Sequence, residues 1–390
     1  MQAFTFHVPT EIVFGAGTEE KCADLVKKYK GTRVLLVYGE GSVVKSGLLD
    51  KITGQLDASG IAYLKHGGAT PNPHLSFARA GVKAALEFGA DLVLAIGGGS
   101  AIDAAKAIAH GTKNPDTDIW QYWLGKATVE DSLPIGVILT ISAAGSETSN
   151  SAVLTDTDND DKRGINTDFN RPRFAIMNPE LCYSLPKYQI ACGIADIMMH
   201  TMERYFTAEC NKGIECELTD EIAEGLLRVV IKNGLLVLKD PTNYHAQAEL
   251  MWCGSVSHTS MTGLGRTMDF SVHRLCHQLS GRFNTTHGAS LAATWASWAK
   301  YTLPVNPARF ARYADKIWGA KTAEEGINKT VEYFKSIGMP TTFTELGIGI
   351  LSDDLLKEMA NSCGSGGRAV GTFKPLDVND IYEIYKLANV

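Results

Sequence analysis

The residues best suited to chemistry lie in two stretches. Ile190 to Tyr205 reads IACGIADIMMHTMERY, an apolar run broken by Asp196 and His200 four residues apart. Ser271 to Gly288 reads SVHRLCHQLSGRFNTTHG, with His273 and His277 again four apart and His287 following in a turn. On a helix, a spacing of four puts two side chains on one face. A buried carboxylate is costly unless it is paired or bound to a cation. Two readings are therefore open: a hydrogen-bonded Asp–His pair among ordinary structural histidines, or a metal site. Four of the chain's ten histidines fall in these two stretches. Three neutral imidazoles with one carboxylate form a donor set that suits Fe2+ or Zn2+.

A second kind of chemistry is signalled by glycine. Gly97-Gly98-Gly99-Ser100-Ala101-Ile102-Asp103 follows the apolar run Asp91 to Ile96. Glycines let backbone N–H groups approach a phosphate closely, and a helix N-terminus adds a favourable dipole. The dinucleotide fingerprint G-x-G-x-x-G would need glycine at position 102, which is isoleucine, and the Lys-Ser/Thr ending of a P-loop is missing. A tight strand-to-helix turn is the bland alternative. Gly39-Glu40-Gly41-Ser42 after Arg33 to Tyr38, and Thr140 to Glu147 after Ile135, are two more small, flexible strand ends. In open α/β sheets, ligands bind beyond the carboxyl ends of the strands.

The elements that must position these groups follow from the hydrophobic pattern. Arg33 to Tyr38, Ile61 to Lys65, Asp91 to Ile96 and Ile135 to Thr140 read as strands, and Phe77 to Phe88 and Ala101 to Ala109 as helices between them. That alternation predicts an α/β domain with a parallel sheet. Asp156 to Arg173 is polar and turn-rich, as in a surface hairpin or loop. After Leu185-Pro186 helical periodicity takes over, in Glu217 to Val237, Ala246 to Ser257 and Ala308 to Trp318. The expected organisation is residues 1–185 as an α/β dinucleotide-binding domain and residues 186–390 as an all-α metal-binding domain.

Composition narrows the setting. With 37 basic and 43 acidic residues the formal net charge is -6, which gives no electrostatic reason to bind nucleic acid or an anionic membrane. No apolar run approaches the ~20 residues that span a bilayer, and MQAFTFHVPTEIVFGAG lacks the pattern of a signal peptide. Eight scattered cysteines without a C-x-x-C pair read as reduced thiols. A cytoplasmic location is expected.

Together the motifs resemble the iron-containing, or group III, alcohol dehydrogenases, most closely the branch of butanol dehydrogenases and NADPH-dependent aldehyde reductases. The resemblance spans nearly the whole chain in motif order: Phe14-Gly15-Ala16-Gly17, Pro71-Asn72-Pro73, Gly97-Gly98-Gly99-Ser100-x-x-Asp103-x-x-Lys106, Ala144-Gly145-Ser146-Glu147 with Ala144 where Thr is usual, Asp196-x-x-x-His200, and His273-x-x-x-His277 with His287. It implies a nucleotide domain and a helical domain, with the active site in the cleft between them. Asp196, His200, His273 and His287 are the implied ligands of one divalent metal, Fe2+ or Zn2+, and His277 an outer histidine near the nicotinamide. Asn72, Gly98, Gly99, Ser100, Asp103, Thr140 and, by spacing, Lys162 are implied to line the cofactor. The implied reaction is hydride transfer between the nicotinamide and a short-chain alcohol or aldehyde. The metal acts as Lewis acid, and His277 relays the alcohol proton. A homodimer is also implied.

Cofactor choice turns on the end of the strand Arg33 to Tyr38. Relatives that prefer NAD often carry Asp there, which bonds the ribose hydroxyls and repels a 2′-phosphate. Gly39 stands at that position and Ser42 follows, so NADP(H) is expected over NAD(H), with Glu40 as the opposing sign. Three other functions stay open: a polyol enzyme like glycerol dehydrogenase, a cyclising lyase like dehydroquinate synthase, and a non-enzymatic metal or nucleotide sensor. The lyase requires a basic pocket, and no basic cluster surrounds the metal motifs.

Overall fold

The computed structural model describes residues 1–364 and 369–390. Among them the strands are β1 (Glu11–Phe14), β2 (Arg33–Tyr38), β3 (Ala62–Gly67), β4 (Leu92–Gly97), β5 (Ile135–Leu139), β6 (Ser151–Asp156), β7 (Asp161–Asn166) and β8 (Phe174–Met177). Six of them form one sheet in the order β1-β8-β5-β4-β2-β3, and every pairing in it is parallel. The continuous apolar runs are explained by burial on both faces. Leu35, Val37, Val93, Ala95, Val137 and Leu139 enter one core with Ile102, Ala105 and Ile108 of the helix Gly99–Lys113. Their alternating neighbours Val34, Leu36, Leu92, Leu94, Ile96 and Ile138 enter a second core with Leu49, Ile52 and Leu56 of the helix Leu48–Ala58. The polar stretch after Asp156 belongs to an antiparallel hairpin, β6 with β7, in which Thr155 pairs with Lys162.

The chain divides into two compact units. One comprises His7–Leu185 and Pro241–Ser255, the other Met1–Phe6, Pro186–Asp240 and Val256–Val390. Two segments thus fall outside a simple division at Leu185–Pro186. In the first unit, Met251 is buried in a sheet core and Trp252 meets Phe14 edge-on, with ring centroids 6.5 Å apart. In the second, Gln2 N donates to Gly265 O at 3.0 Å.

The second unit is helical. Its interior is aromatic: Phe206 stacks on Phe310 at 4.5 Å between centroids, and Trp295, Trp298 and Tyr313 are fully buried nearby. Long helices here include Lys187–Tyr205, Glu217–Lys239, Ser271–Phe283 and His287–Thr302. No helix among the described residues is long and apolar enough to cross a membrane.

Candidate metal centre and dinucleotide site

The helix Lys187–Tyr205 is buried on all sides from Ile190 onward, as a helix at the centre of a helical unit must be. Asp196, His200 and Glu203 therefore enter the interior together, at i, i+4 and i+7. A second helix, Ser271–Phe283, begins where the Asp269 carboxylate accepts the Ser271 N–H at 3.1 Å and the Ser271 hydroxyl. His273 lies in its first turn. His287 is the first residue of the helix His287–Thr302. Its approach depends on Gly288: a Cβ there would lie 2.1 Å from the carbonyl oxygen of Cys192, one turn before Asp196. Only glycine lets the two helices meet this closely.

The result is a convergence on one oxygen. Nε2 of His200, of His273 and of His287 each lie 3.7 Å from Oδ1 of Asp196. The ligand atoms of Asp196, His200 and His273 all lie within 4.8 Å of one another. A tetrahedral ion with bonds of ~2.1 Å has ligand atoms ~3.4 Å apart, so the spacing is a little wide for hydrogen bonds and close to that of ligands about a metal. Asp196 Oδ1 and His273 Nε2 are buried without a hydrogen-bond partner, which is costly unless something else satisfies them. A structural Asp–His pair would have satisfied them. The residues fit a divalent cation.

The electrostatics agree. Burial, then the neighbouring His258 and His273, hold His200 well below the usual histidine range, so its ring is neutral and has a lone pair to give. Burial by itself would lower His273 too, but the carboxylates of Glu203 and Asp196 outweigh it and push it up to about 9. The pocket therefore calls for positive charge, which a proton or a dication could supply. Glu203 Oε2 binds His273 Nδ1, and Oε1 accepts the His273 N–H at 3.1 Å. This is the carboxylate–histidine arrangement that orients metal-binding imidazoles. Arg204 closes the back, donating to His200 O at 2.8 Å with its guanidinium 4.7 Å from the Phe270 ring centroid.

His277, one turn beyond His273, is half-buried with its ring 6.1 Å from that of His287. Three residues at the centre escaped sequence reasoning: Glu203, Cys276, whose Sγ lies 3.6 Å from His287 Nδ1, and His258, whose ring lies 4.2 Å from that of His200. Glu203 carried a usable signal, a carboxylate seven residues after Asp196 and three after His200 in a helix with no polar face.

The glycine motifs sit at the carboxyl ends of the parallel strands. Gly98 caps the helix Gly99–Lys113, and a Cβ on Gly98 would lie 2.1 Å from Ile141 Cγ2. The first N–H groups of that helix have no partner within it and can hold a phosphate. Thr140 N donates to Gly97 O at 3.1 Å, placing the strand ends of β4 and β5 side by side. Ser100 is part-exposed in the first turn. Asp103 is anchored, Oδ1 accepting from Ser146 Oγ at 2.6 Å and Oδ2 from Val153 N at 2.9 Å. Lys106 is fully buried and donates to Ser146 Oγ at 2.8 Å and Ser151 O at 2.7 Å, and burial pulls it down to about 8. Lys162 Nζ donates to Asn72 Oδ1 at 2.8 Å, and Asn72 takes a left-handed φ of 55°. Gly39 lies where a Cβ would come 3.2 Å from Ala69 O, and Ser42 opens the short helix Ser42–Lys45. Glu40 is exposed, and a Cβ on Gly68 would lie 4.0 Å from its Oε1.

Comparison with known proteins supports the same picture across both units. Residues 9–179 match the family described as iron-containing alcohol dehydrogenase, and residues 190–389 the C-terminal part of the Fe-containing alcohol dehydrogenase family. The chain is 38% identical to NADH-dependent butanol dehydrogenase A of Clostridium acetobutylicum, covering 99% of each. It is 32% identical to the NADPH-dependent aldehyde reductase YqhD of Escherichia coli, covering 92% of this chain and 93% of that one. The crystal structure of NADH-dependent butanol dehydrogenase A from Thermotoga maritima superposes with a TM-score of 0.95 at 33% identity, covering 100% of this chain and 99% of that one. Convergent imidazoles about a buried carboxylate, glycine turns at parallel strand ends and matches along both units have one explanation: the chain belongs to the iron-containing alcohol dehydrogenase family, nicotinamide-dependent oxidoreductases that interconvert alcohols and aldehydes.

Proposed function

We propose that this protein reduces short-chain aldehydes such as butanal to the corresponding alcohols, and runs the reverse reaction, using one divalent metal, Fe2+ or Zn2+, held by Asp196, His200, His273 and His287. The observation that carries this reading is the set of three Nε2 atoms, each 3.7 Å from Asp196 Oδ1. Residues 1–185 supply the dinucleotide-binding region and residues 186–390 the metal-binding region. Bound there, the metal supplies Lewis acidity and the dinucleotide carries the hydride. Asp196 and Glu203 balance the ion's charge, and Arg204 and Phe270 keep water from its inner side. His277 takes up or gives the alcohol proton at an imidazole nitrogen. His277→Ala should retain metal, lose rate and alter the pH profile.

On the dinucleotide, Gly98, Gly99 and Ser100 hold the pyrophosphate with backbone N–H groups, Asn72 and Lys162 form one polar clamp, and Asp103 and Thr140 fix the loops around it. NADP(H) is the preferred cofactor, because Gly39 presents no carboxylate to the ribose, Ser42 offers a hydroxyl and Glu40 is exposed to solvent. Two observations favour NADH instead: the Glu40 carboxylate lies 4.0 Å from where a Cβ on Gly68, at the neighbouring strand end, would sit, and relatives named as NADH-dependent share 33–38% identity with this chain. The ratio of kcat/KM for butanal with NADPH and with NADH, in wild type and Glu40→Gln, separates the two. A wild-type preference for NADH that Glu40→Gln reverses would assign the choice to Glu40. A polyol turned over faster than butanol would overturn the substrate reading. The protein acts as a cytoplasmic homodimer; eight cysteines that form no disulfide among the described residues suit a reducing compartment, and sedimentation of the purified chain tests the assembly.

A further inference from the structure

The three imidazoles point Nε2 at Asp196, so each turns Nδ1 outward, and the outer surroundings differ. His273 Nδ1 meets the Glu203 carboxylate. His200 Nδ1 is buried with no hydrogen-bond partner. His287 Nδ1 lies 3.6 Å from Sγ of Cys276, within reach of an N–H···S bond. The same sulfur lies 3.2 Å from the carbonyl oxygen of His273, three residues earlier on the helix Ser271–Phe283, and Cys276 is fully buried.

The proton directions close without conflict. A carbonyl can only accept, so the thiol S–H donates to His273 O and the sulfur lone pairs are left to accept. An imidazole that gives its Nε2 lone pair to a cation carries its remaining proton on Nδ1, where it can only donate. His287 and Cys276 are matched in this sense only when Nε2 faces the cation. The thiol also bonds the backbone of one ligand residue and the ring of another, tying the first turn of one helix to the start of the next.

We propose that Cys276 is a positioning residue of the metal centre, fixing the tautomer and ring orientation of His287 through its sulfur. This rests on the ligand set proposed above. Sulfur is a weaker acceptor than a carboxylate, so the bond from His287 to Cys276 is weaker than the one from His273 to Glu203. The His287 side chain is also the most exposed of the three, 30% against 9% for His273 and 4% for His200.

The test uses the full-length protein loaded with Co2+, compared as wild type, Cys276→Ala, Cys276→Ser and His287→Ala. Two readouts are taken, the rate of metal loss to excess chelator and the visible Co2+ spectrum. Loss of an outer partner weakens metal binding about 10–100-fold. Cys276→Ala is expected to release metal at least about tenfold faster, with a changed spectrum. Cys276→Ser keeps a donor and an acceptor and is expected to restore most of both. Cys276→Ala behaving as wild type while His287→Ala loses its metal would overturn the role of Cys276 alone. His287→Ala keeping wild-type metal affinity would overturn the ligand set. A serine variant as impaired as alanine would also overturn the proposal, because the sulfur would then matter only as packing. Should Cys276→Ala fail to fold, proton NMR of Co2+-loaded wild type and Cys276→Ser decides. The exchangeable His287 N–H resonance must move between them, and an unmoved resonance refutes the bond.

Discussion

Replacing Glu203 by Gln perturbs the centre without replacing a proposed ligand. Glu203 is 1% exposed and holds His273 twice, through the ring Nδ1 and through the backbone N–H at 3.1 Å. Glutamine has nearly the same shape and still offers one acceptor, so the backbone bond can persist. What goes is the negative charge and, with it, the acceptor for the ring Nδ1–H. With the carboxylate present, Asp196 and Glu203 together match the two charges of a divalent ion; with the amide, one positive charge is left over in a buried pocket. Outer-partner substitutions at metal-binding histidines cost about 10–100-fold in metal affinity, or ~1.4–2.7 kcal/mol. Burial of Asp196, His200, Glu203 and His273 places the expected loss toward the upper end. The assay is equilibrium competition for Zn2+ between the protein and a chromophoric chelator at fixed pH, with dinucleotide binding measured in parallel as a control. Affinity within about twofold of wild type would refute the argument that Glu203 acts on the metal through His273.

Gly288→Ala brings a Cβ to 2.1 Å from Cys192 O, so the helix carrying His287 must shift. We expect a stability loss of ~1–3 kcal/mol together with loss of metal; a variant with unchanged Tm and full metal content would contradict this. Lys162→Met removes the 2.8 Å bond to Asn72 and should raise the KM for the dinucleotide while metal affinity stays unchanged, as steady-state kinetics and metal analysis can show. Asp220 tests the ion-pair core of the helical unit. Burial alone would raise its carboxyl, but Arg309 at 3.0 Å and Arg266 at 2.6 Å outweigh it and hold it below the usual range. A carboxylate depressed on folding contributes stability above its unfolded value of ~3.9 that is lost as pH falls through the folded value. Asp220→Asn should therefore cost ~3–5 kcal/mol near neutrality and flatten the acid limb of the Tm–pH curve.

Much of the sheet was legible because burial on both faces leaves a direct mark, a run such as RVLLVY or DLVLAI with no polar alternation. Phe174–Met177 and Glu11–Phe14 were missed for a related reason. Each has only four residues and borders polar or aromatic sequence, so its strand character comes from pairing with a neighbour, β8 inserting between β1 and β5. Likewise Thr140 falls just past β5, whose ladder ends at Leu139 opposite Gly97. The histidines and Asp196 stood out because a charged residue in a wholly buried helix must have a partner. Glu203 was hidden in the polar C-terminal end of the same stretch, and Cys276 looked like any small apolar residue between His273 and His277. Their roles depend on contacts between helices distant in the chain, which no local pattern encodes. Ala246 to Ser257 reads as an ordinary helix too, and only tertiary packing assigns Met251 to the core of the other unit.

The central claim is that turnover runs through a metal held by Asp196, His200, His273 and His287. The most direct measurement titrates metal-stripped, full-length protein with Fe2+ or Zn2+ while following aldehyde-dependent consumption of reduced cofactor, in wild type and in His273→Ala. The account predicts no turnover in the stripped protein, a rise that saturates at one ion per chain, and no rise in His273→Ala although that variant still binds dinucleotide. Full turnover without metal, or saturating activation of His273→Ala at wild-type metal concentrations, would contradict it.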